Sequence, residues 1–332
     1  MKVAQRGTSF STGSSTIYTL DRFQSATGSS FNFDLTLTQS TDTPTGFSNS
    51  LKISPDSTQT PSSGQNGAIR YNIEAQDLQS LGYGSSDAKK MTLSFYVKSN
   101  KTGTYSVQLI GYDGQNSCVA TYTIAASNTW ERKTITIDPD TSNAFANDNT
   151  LGILIAWHLA CGPDDIVSPN TSWGVATTGF RAGTGQVNFM DATANEWYLT
   201  GVQLEVGDTA TDFEHRSFGD ELGKCQRYLY RWTPISGNYN FYSTGYVYQT
   251  TAANVVAQLP VEMRAAATLT SGGSFRLCAA ACTNVSSLVL SRGNPKTPSI
   301  EAHVASGLTT GQAVGLGDNN DANAYIQLDA EL

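Results

Sequence analysis

Charge is what this sequence has least of. Only 14% of its 332 residues are Asp, Glu, Lys or Arg, against roughly 25% in an ordinary globular domain. Ser, Thr, Asn, Gln and Gly stand in their place, so the surface stays wet through neutral hydrogen-bonding groups, as in many β-rich extracellular and capsid-like proteins. The charge that remains is acidic on balance, with a formal net charge of −8. A phosphate-backbone binder needs clustered Lys and Arg, and their lack excludes nucleic acid as a partner. Long apolar runs are missing too. The longest, LGILIAWHLA (151–160), falls far short of the ~20 residues a spanning helix needs, which argues against membrane insertion. The opening MKVAQRGTSF has no apolar segment of the kind a signal peptide carries.

Histidine and cysteine are equally sparse. His158, His215 and His303 allow no defensible Ser-His-Asp order, and no glycine-rich strand-to-helix phosphate loop is present. His158, between Trp157 and Leu159, reads as a satisfied core histidine. The cysteines are Cys118, Cys161, Cys225, Cys278 and Cys282. Their odd count and irregular spacing read as buried or free thiols, not a disulfide framework. CAAAC (278–282) could meet across a turn, yet lacks the spacing and histidine neighbours of a zinc site. Such usage fits assembly inside a cell.

What the chain does have is alternation. In MTLSFYVKS, Met91, Leu93, Phe95 and Val97 share one face while Thr92, Ser94 and Lys98 share the other, the period-two pattern of a half-buried strand. TYSVQLIGY repeats it, DGQN (113–116) is a turn by composition, and CVATYTI is its hairpin partner. ERKTITI, GQVNFM and WYLTGVQLEV extend the set; in the last, Tyr198, Val202, Leu204 and Val206 are expected on one face. LGILIAWHL is apolar on both faces, as a central strand covered on two sides should be. No helical period precedes residue 215. After 231, NFYSTGYVYQ, ANVVAQLPVEM, SFRLCA, SSLVLS and AYIQLDAEL read as further strands, and GLTTGQAVGLGDNND (307–321) as loops. The expected fold is all-β: a jelly-roll β-sandwich (1–214), a short helical connector (215–231) and a smaller β-sandwich-like domain (232–332).

One stretch, WYLTGVQLEVGDTATDFEHRSFGDELGKCQRYLY (197–230), crowds acids, a histidine and a cysteine as an active site would. Helix chemistry accounts for most of it. Ser217 and Asp220 have capping-box spacing, and Phe218, Leu222, Cys225 and Leu229 fall on one helical face. Asp220 and Glu221 at the start and Lys224, Arg227 and Arg231 towards the end suit the helix dipole. The stretch reads as a structural seam.

The same stretch resembles a recurrent segment of bacteriophage tail-fibre-like virion proteins, in which a strand ending QLEVG is followed by ATxFExR and ELxxCQRY. VAQRGTSF (3–10), YTLDRF (18–23), MTLSFYVKS, TGTYSV, NTWERKTITI, LPVEMR (259–264) and AYIQLDAEL extend the resemblance from end to end. It implies a carbohydrate-binding-module-like jelly roll followed by a smaller β domain, usually in a homotrimer, displayed on the virion after synthesis in the host cytoplasm. Its partners would be other copies of itself, other virion proteins and host surface glycans. Met1 falls inside the opening motif, which implies either a shortened chain or attachment by another surface, as in a head-surface fibre or capsid-decorating protein. The leading expectation is a non-enzymatic virion structural protein, the alternative a dedicated receptor-binding lectin, the remote one a polysaccharide depolymerase.

Aromatics are the candidate sugar platforms, because pyranose faces stack on flat rings. Trp173, in the loop-like NTSWGVATTG, is the expected exposed stacking residue, with Tyr112 and Asn116 at the DGQN turn beside it. Trp130, Trp157 and Trp197 are expected in the core, and Trp232, Tyr242, Tyr246 and Tyr248 at a subunit interface. No catalytic residue is assigned. A depolymerase would first implicate Glu205, Glu214 and Asp165, but the adjacent Asp164 and Asp165 would splay apart on a loop and make a poor glycosidase pair. Oxygen donors for calcium occur at DGQN, Asp164/Asp165 and GDNND (317–321), none in a calcium-loop pattern. They read as turns, and no cofactor or metal is assigned.

Overall fold

The computed structural model describes residues 1–28, 31–174, 179–235 and 238–332. The chain divides into two compact units, residues 1–217 with 332, and residues 218–331.

The first unit is a jelly-roll β-sandwich. One sheet has six strands, ordered Ser9–Ser11, Leu35–Ser40, Ser50–Pro55, Trp197–Val206, Met91–Ser99 and Glu131–Ile137. The other has seven, ordered Asn170–Gly174, Asn116–Ile124, Gly103–Gly111, Leu151–Cys161, Asn66–Glu74, Phe23–Gly28 and Ile17–Tyr18. Alternation decides which side chains go between them. Met91, Leu93, Phe95 and Val97 are each 0% exposed, and burying a side chain of that size contributes about 1.5–3 kcal/mol. They meet Tyr105, Val107, Leu109, Tyr122 and Trp157 from the opposite sheet. Phe95 sits edge-on to Tyr122 and Trp157, at 5.1 and 5.9 Å between centroids. The hairpin expected around DGQN pairs Gly111 with Asn116. Leu151–Cys161 is central, between Gly103–Gly111 and Asn66–Glu74, and is buried on both faces.

Four local expectations are corrected. GQVNFM forms no extended strand: Gln186 makes one isolated bridge, and Phe189–Asp191 is a 3-10 turn capped by Asn188. A 3-10 segment, Ala75–Leu81, precedes residue 215 where no helical period was seen; it buries Ala75, Leu78 and Leu81 and closes on Gly82 in the left-handed region. Alternation in WYLTGVQLEV breaks at Gly201, where a bulge shifts the register between Thr200 and Gln203. Trp197 and Leu199 before it, and Val202 and Leu204 after it, all turn to the core, while Tyr198 faces away from it. Gly201 has φ +58°, and a Cβ there would stand 2.8 Å from the Phe47 ring and 2.9 Å from Tyr96, so only glycine fits without strain. Finally, Trp130 is not core. It lies half-buried on the outer side of the six-stranded sheet, where its Nε1 donates to Asp42 Oδ1 at 3.0 Å.

The second unit is also all-β, and its strands close on themselves. Phe241–Gln249, Ala252–Val256, Ser299–Val304, Cys282–Arg292, Phe275–Cys278 and Ala313–Asp318 form a closed barrel, beside a three-stranded sheet of Leu229–Trp232, Tyr325–Asp329 and Thr268–Gly272. Val247, Val255, Leu277, Ile300 and Leu316 fill the barrel. Ala313–Asp318 lies within the glycine-rich tract expected as loop. Its glycines sit in a strand because neighbours lie close over them: a Cβ on Gly315 would meet the Phe241 ring at 2.7 Å. The helix spans Phe218–Gln226, and Leu229, expected on its face, opens a strand instead. Phe218 is 56% exposed, and of the expected apolar face only Cys225 is fully buried within the helix. Cys278 and Cys282 form a disulfide across the end of their hairpin, correcting the free-thiol expectation for that pair; Cys118, Cys161 and Cys225 are not disulfide-bonded. Among the described residues no helix is long and apolar enough to cross a membrane.

Candidate functional site

The three expected sugar-contacting residues fall on two sides of one sheet. Asn116 is buried, and its Nδ2 donates to Asp140. Asp140 also accepts from the Ser142 and Asn143 amides at 2.8 and 3.1 Å and from Asn143 Nδ2 at 2.8 Å. Burial alone would raise its pKa, but these donors outweigh it and hold the carboxyl below its usual range. Asn116 is thus committed to folding the turn. Trp173 is the neighbour of Asn116: a Cβ on Gly111 would touch both, at 3.3 and 2.6 Å. The tryptophan stands in an edge strand, not a loop, and packs half-buried against the main core. Its Nε1 donates to the Asp138 carbonyl at 3.0 Å and reaches Tyr83 Oη at 3.3 Å. Its ring is edge-on to Tyr83, which stacks on Phe145 at 5.4 Å. Both its polar edge and much of its ring are therefore in use. The remainder of that expected loop, 175–178, lies outside the described residues.

Tyr112 lies on the other side, with the outward-facing residues of the seven-stranded sheet. Strand pairing sets these in rows. Gln24, Arg70, Ala156, Gln108 and Val119 form one row across five strands; Asn72, Leu154, Ile110 and Ser117 form the next. Ala68, Ile110, Leu154 and Ala156 make an apolar floor bordered by Tyr112, Leu151 and Phe180. Phe180 comes from a connection, which is why strand periodicity could not reveal it. The connection is pinned. Arg181 N donates to Gln108 Oε1 at 2.9 Å, Gln108 Nε2 donates to the Gly179 carbonyl at 3.1 Å, and Gly183 N donates to Ser106 Oγ at 2.8 Å. Arg181 Nη1 pairs with Asp165 at 2.5 Å, and Asn66 Nδ2 donates to the other Asp165 oxygen at 2.9 Å.

Arg70 sits 4.1 Å from the centre of the Phe180 ring. Burial lowers its pKa to about 10, and among the described residues its Nε has no hydrogen-bond partner. His158, sealed in the row beside it, is pushed down to about 3, first by burial and then by Arg70. The face therefore combines neutral amides, one arginine and two ring borders, with Gln24, Arg70, Tyr112, Phe180 and Leu151 still reaching solvent. It can offer hydrogen bonds and stacking to a polar ligand.

Of the acids that suggested catalysis, Glu205, Glu214 and Asp165 are engaged locally. Glu205 accepts from the Thr211 hydroxyl and, at 3.1 Å, from its amide. Slight burial acts to raise its pKa, yet the hydrogen bonds leave it lowered. Glu214 pairs with Arg216 at 2.8 Å, Asp165 is held as above, and Asp164 is exposed. His215 packs on Phe47 and Phe213 at 5.1 and 5.0 Å, so this stretch clamps the outer side of the six-stranded sheet. Two of the calcium-candidate loops spend carboxylates on backbone: Asp113 accepts Ala146 N at 3.1 Å, and Asp321 accepts Ser274 N and Asn323 N at 2.8 and 2.9 Å. Among the described residues no group of three His, Cys, Asp or Glu side chains is placed to hold a metal ion.

The four expected interface residues divide as well. Trp232 and Tyr242 meet edge-on at 5.4 Å and pack against the barrel's own core. Tyr248 is half-buried, while Tyr246 is 55% exposed. Sequence reasoning passed over Trp130, Lys98 and Tyr198, whose rings and ammonium cluster at 4.2–6.0 Å. An alternation that puts Lys98 and Tyr198 on the outward face is the signal that could have found them.

No protein-family model matches the chain, and no curated protein matches it. Several solved structures are similar in part. The enzymatically active domain of bacteriophage CBA120 tailspike protein 4 is 14% identical over 56% of this chain, at a TM-score of 0.32; the chain spans only 19% of that protein. The C-terminal family 22 carbohydrate-binding module of Clostridium thermocellum Xyn10B is 10% identical, over 61% of this chain and 96% of the module, at 0.31. A family 11 carbohydrate-binding module from the same organism, solved with a mixed-linked tetrasaccharide, is 11% identical, over 61% and 98%, at 0.30. At such scores these likenesses add nothing to what the sheets themselves show.

Proposed function

We propose that this chain is a non-enzymatic structural protein of a bacteriophage virion, a tail fibre or a head-surface fibre or decoration protein, assembled as a homotrimer. The observation that carries the reading is the ordered run of fibre-like segments, from VAQRGTSF through QLEVG and ELGKCQRY to AYIQLDAEL, spread over both compact units. The physical character of the chain supports it. Two β units with a neutral polar surface suit a particle exterior, and the acids of the 197–230 stretch serve the scaffold. The test is negative-stain microscopy of the encoding phage with gold-coupled antibody to this chain. Gold at the tail or on the head fits the reading; particles without gold refute it.

The outward face holding Gln24, Arg70, Tyr112 and Phe180 favours a second, compatible reading: the sandwich contacts glycans of the host surface. Purified chain should then bind host envelope polysaccharide, and Tyr112→Ala with Arg70→Gln should weaken binding at least tenfold without loss of fold. If wild-type chain binds no envelope fraction, the lectin reading goes while the virion reading stands.

A further inference from the structure

We propose a separate binding site for an acidic saccharide on the outer wall of the C-terminal barrel, built from Tyr239, Phe241, Arg276 and Asn284 over the glycines of Ala313–Asp318. It does not depend on the sandwich face or on where the protein sits in a particle.

Strand pairing places the parts. Phe241 is the partner of Gly317, Gly317 of Arg276, and Arg276 of Asn284, so one row crosses four neighbouring strands. Phe275 and Leu277, on either side of Arg276, are buried in the barrel, so Arg276 and its row face outward. The strand in the middle of that row carries no side chain at Gly315 or Gly317, and a Cβ on Gly317 would stand 2.4 Å from the Asn240 carbonyl oxygen. Phe241 leans across that strand: its ring covers Gly315, where a Cβ would stand 2.7 Å from Cε1. The ring is nonetheless 56% exposed, and Tyr239 beside it is 54% exposed. Two exposed aromatic rings in three residues offer flat apolar faces on which a ring-shaped ligand can stack.

Arg276 supplies the selectivity. Its guanidinium lies 3.7 Å from the centre of the Tyr239 ring, which fixes the plane of the fork. Its Nε is sealed from water, and among the described residues it has no hydrogen-bond partner. Nor does any described carboxylate pair with it, although acids outnumber bases in this chain, 28 to 20. A guanidinium oriented by a ring, with its Nε sealed and, among the described residues, no carboxylate partner, is complementary to a planar carboxylate, which its outer nitrogens can receive through two parallel hydrogen bonds. Asn284, exposed at the end of the row and held by Asn319 Nδ2 at 3.2 Å, adds a neutral amide. A uronic-acid residue offers the matching set: an apolar ring face for Phe241, hydroxyls for Asn284 and a carboxylate for Arg276. A neutral saccharide lacks the last, and an isolated inorganic anion lacks the first.

The test is calorimetric titration of the full chain with hexamers of galacturonate, mannuronate and hyaluronate, each beside its carboxyl-reduced counterpart. At least one acidic hexamer should bind, at least tenfold more tightly than its reduced form, and more weakly as salt rises. Arg276→Gln and Phe241→Ala should each lose at least tenfold with unchanged circular dichroism. Gly315→Ala, which must displace the Phe241 ring, should lose several-fold. Failure of all three hexamers to bind, or wild-type binding by both Arg276→Gln and Phe241→Ala, overturns the site. So does dissociation of a wild-type oligomer by those two substitutions in sedimentation velocity, which would give the surface to a second copy of the chain. The Tyr112 and Arg70 variants of the sandwich should leave this binding intact, so loss of one site is distinguishable from loss of the other.

Discussion

His158 Nε2 lies 3.2 Å from Gln108 Oε1, with both side chains sealed from solvent. The same oxygen accepts the Arg181 amide, so imidazole Nε2 is the donor; burial keeps the ring neutral, and among the described residues Nδ1 has no hydrogen-bond partner. One buried histidine thus helps hold a connection onto the sheet, at a position where burial disfavours its charged form.

A pH dependence follows. The histidine titrates near 6.5 in the unfolded chain and at about 3 in the folded one. Its contribution is fully present above pH 6.5 and is lost as pH falls, because the unfolded state gains the proton first. The expected slope approaches about 1.4 kcal/mol per pH unit between roughly pH 6 and pH 4. Urea unfolding across that range checks it. His158→Gln should flatten the slope there, while the loss below pH 4 from carboxylates such as Asp140 and Glu131, held below their usual range, should remain.

Asp165 ties Arg181 and Asn66 together from a buried position. Asp165→Asn should lower stability by about 1–3 kcal/mol, reduced from the cost of a fully buried pair because the arginine is partly exposed. Hydrogen exchange should show the change at amides 179–184 first. Unchanged protection there would mean that the pair does not pin the connection.

Gly201→Ala should cost about 2–4 kcal/mol. The substitution puts a side chain at φ +58° and into the Phe47 and Tyr96 rings, adding backbone strain to overpacking. A melting temperature within a degree of wild type would show that the bulge relaxes freely.

Trp173→Ala should destabilise the sandwich by about 2 kcal/mol, since it removes a half-buried ring from the core and leaves the Asp138 carbonyl without that donor. It is therefore a poor probe of binding, although sequence alone makes it the obvious one. Denaturant unfolding of the variant checks this.

The sandwich was legible because Met91, Leu93, Phe95 and Val97 keep a strict period of two, and because LGILIAWHL is apolar on both faces. Legibility failed where glycine overrode pattern. Gly201 flips the face of its strand, and Gly315 and Gly317 sit in a strand that composition assigns to loop. It failed again where the partner is distant in sequence. Phe180 finds Arg70 across 110 positions, and Trp173 finds Tyr83 across 90; no local period encodes either contact. Composition points to aromatics and neutral amides as the candidate binding groups. Which rings stay open was decided by packing: Trp173 went in, while Tyr239 and Phe241 stayed out.

Membership of the virion is tested most directly by quantitative mass spectrometry of gradient-purified particles of the encoding phage. The chain should co-purify at a fixed ratio to the major capsid protein through successive gradients, in copies divisible by three. Its absence from infectious particles, with the protein left in the soluble lysate, would contradict the account.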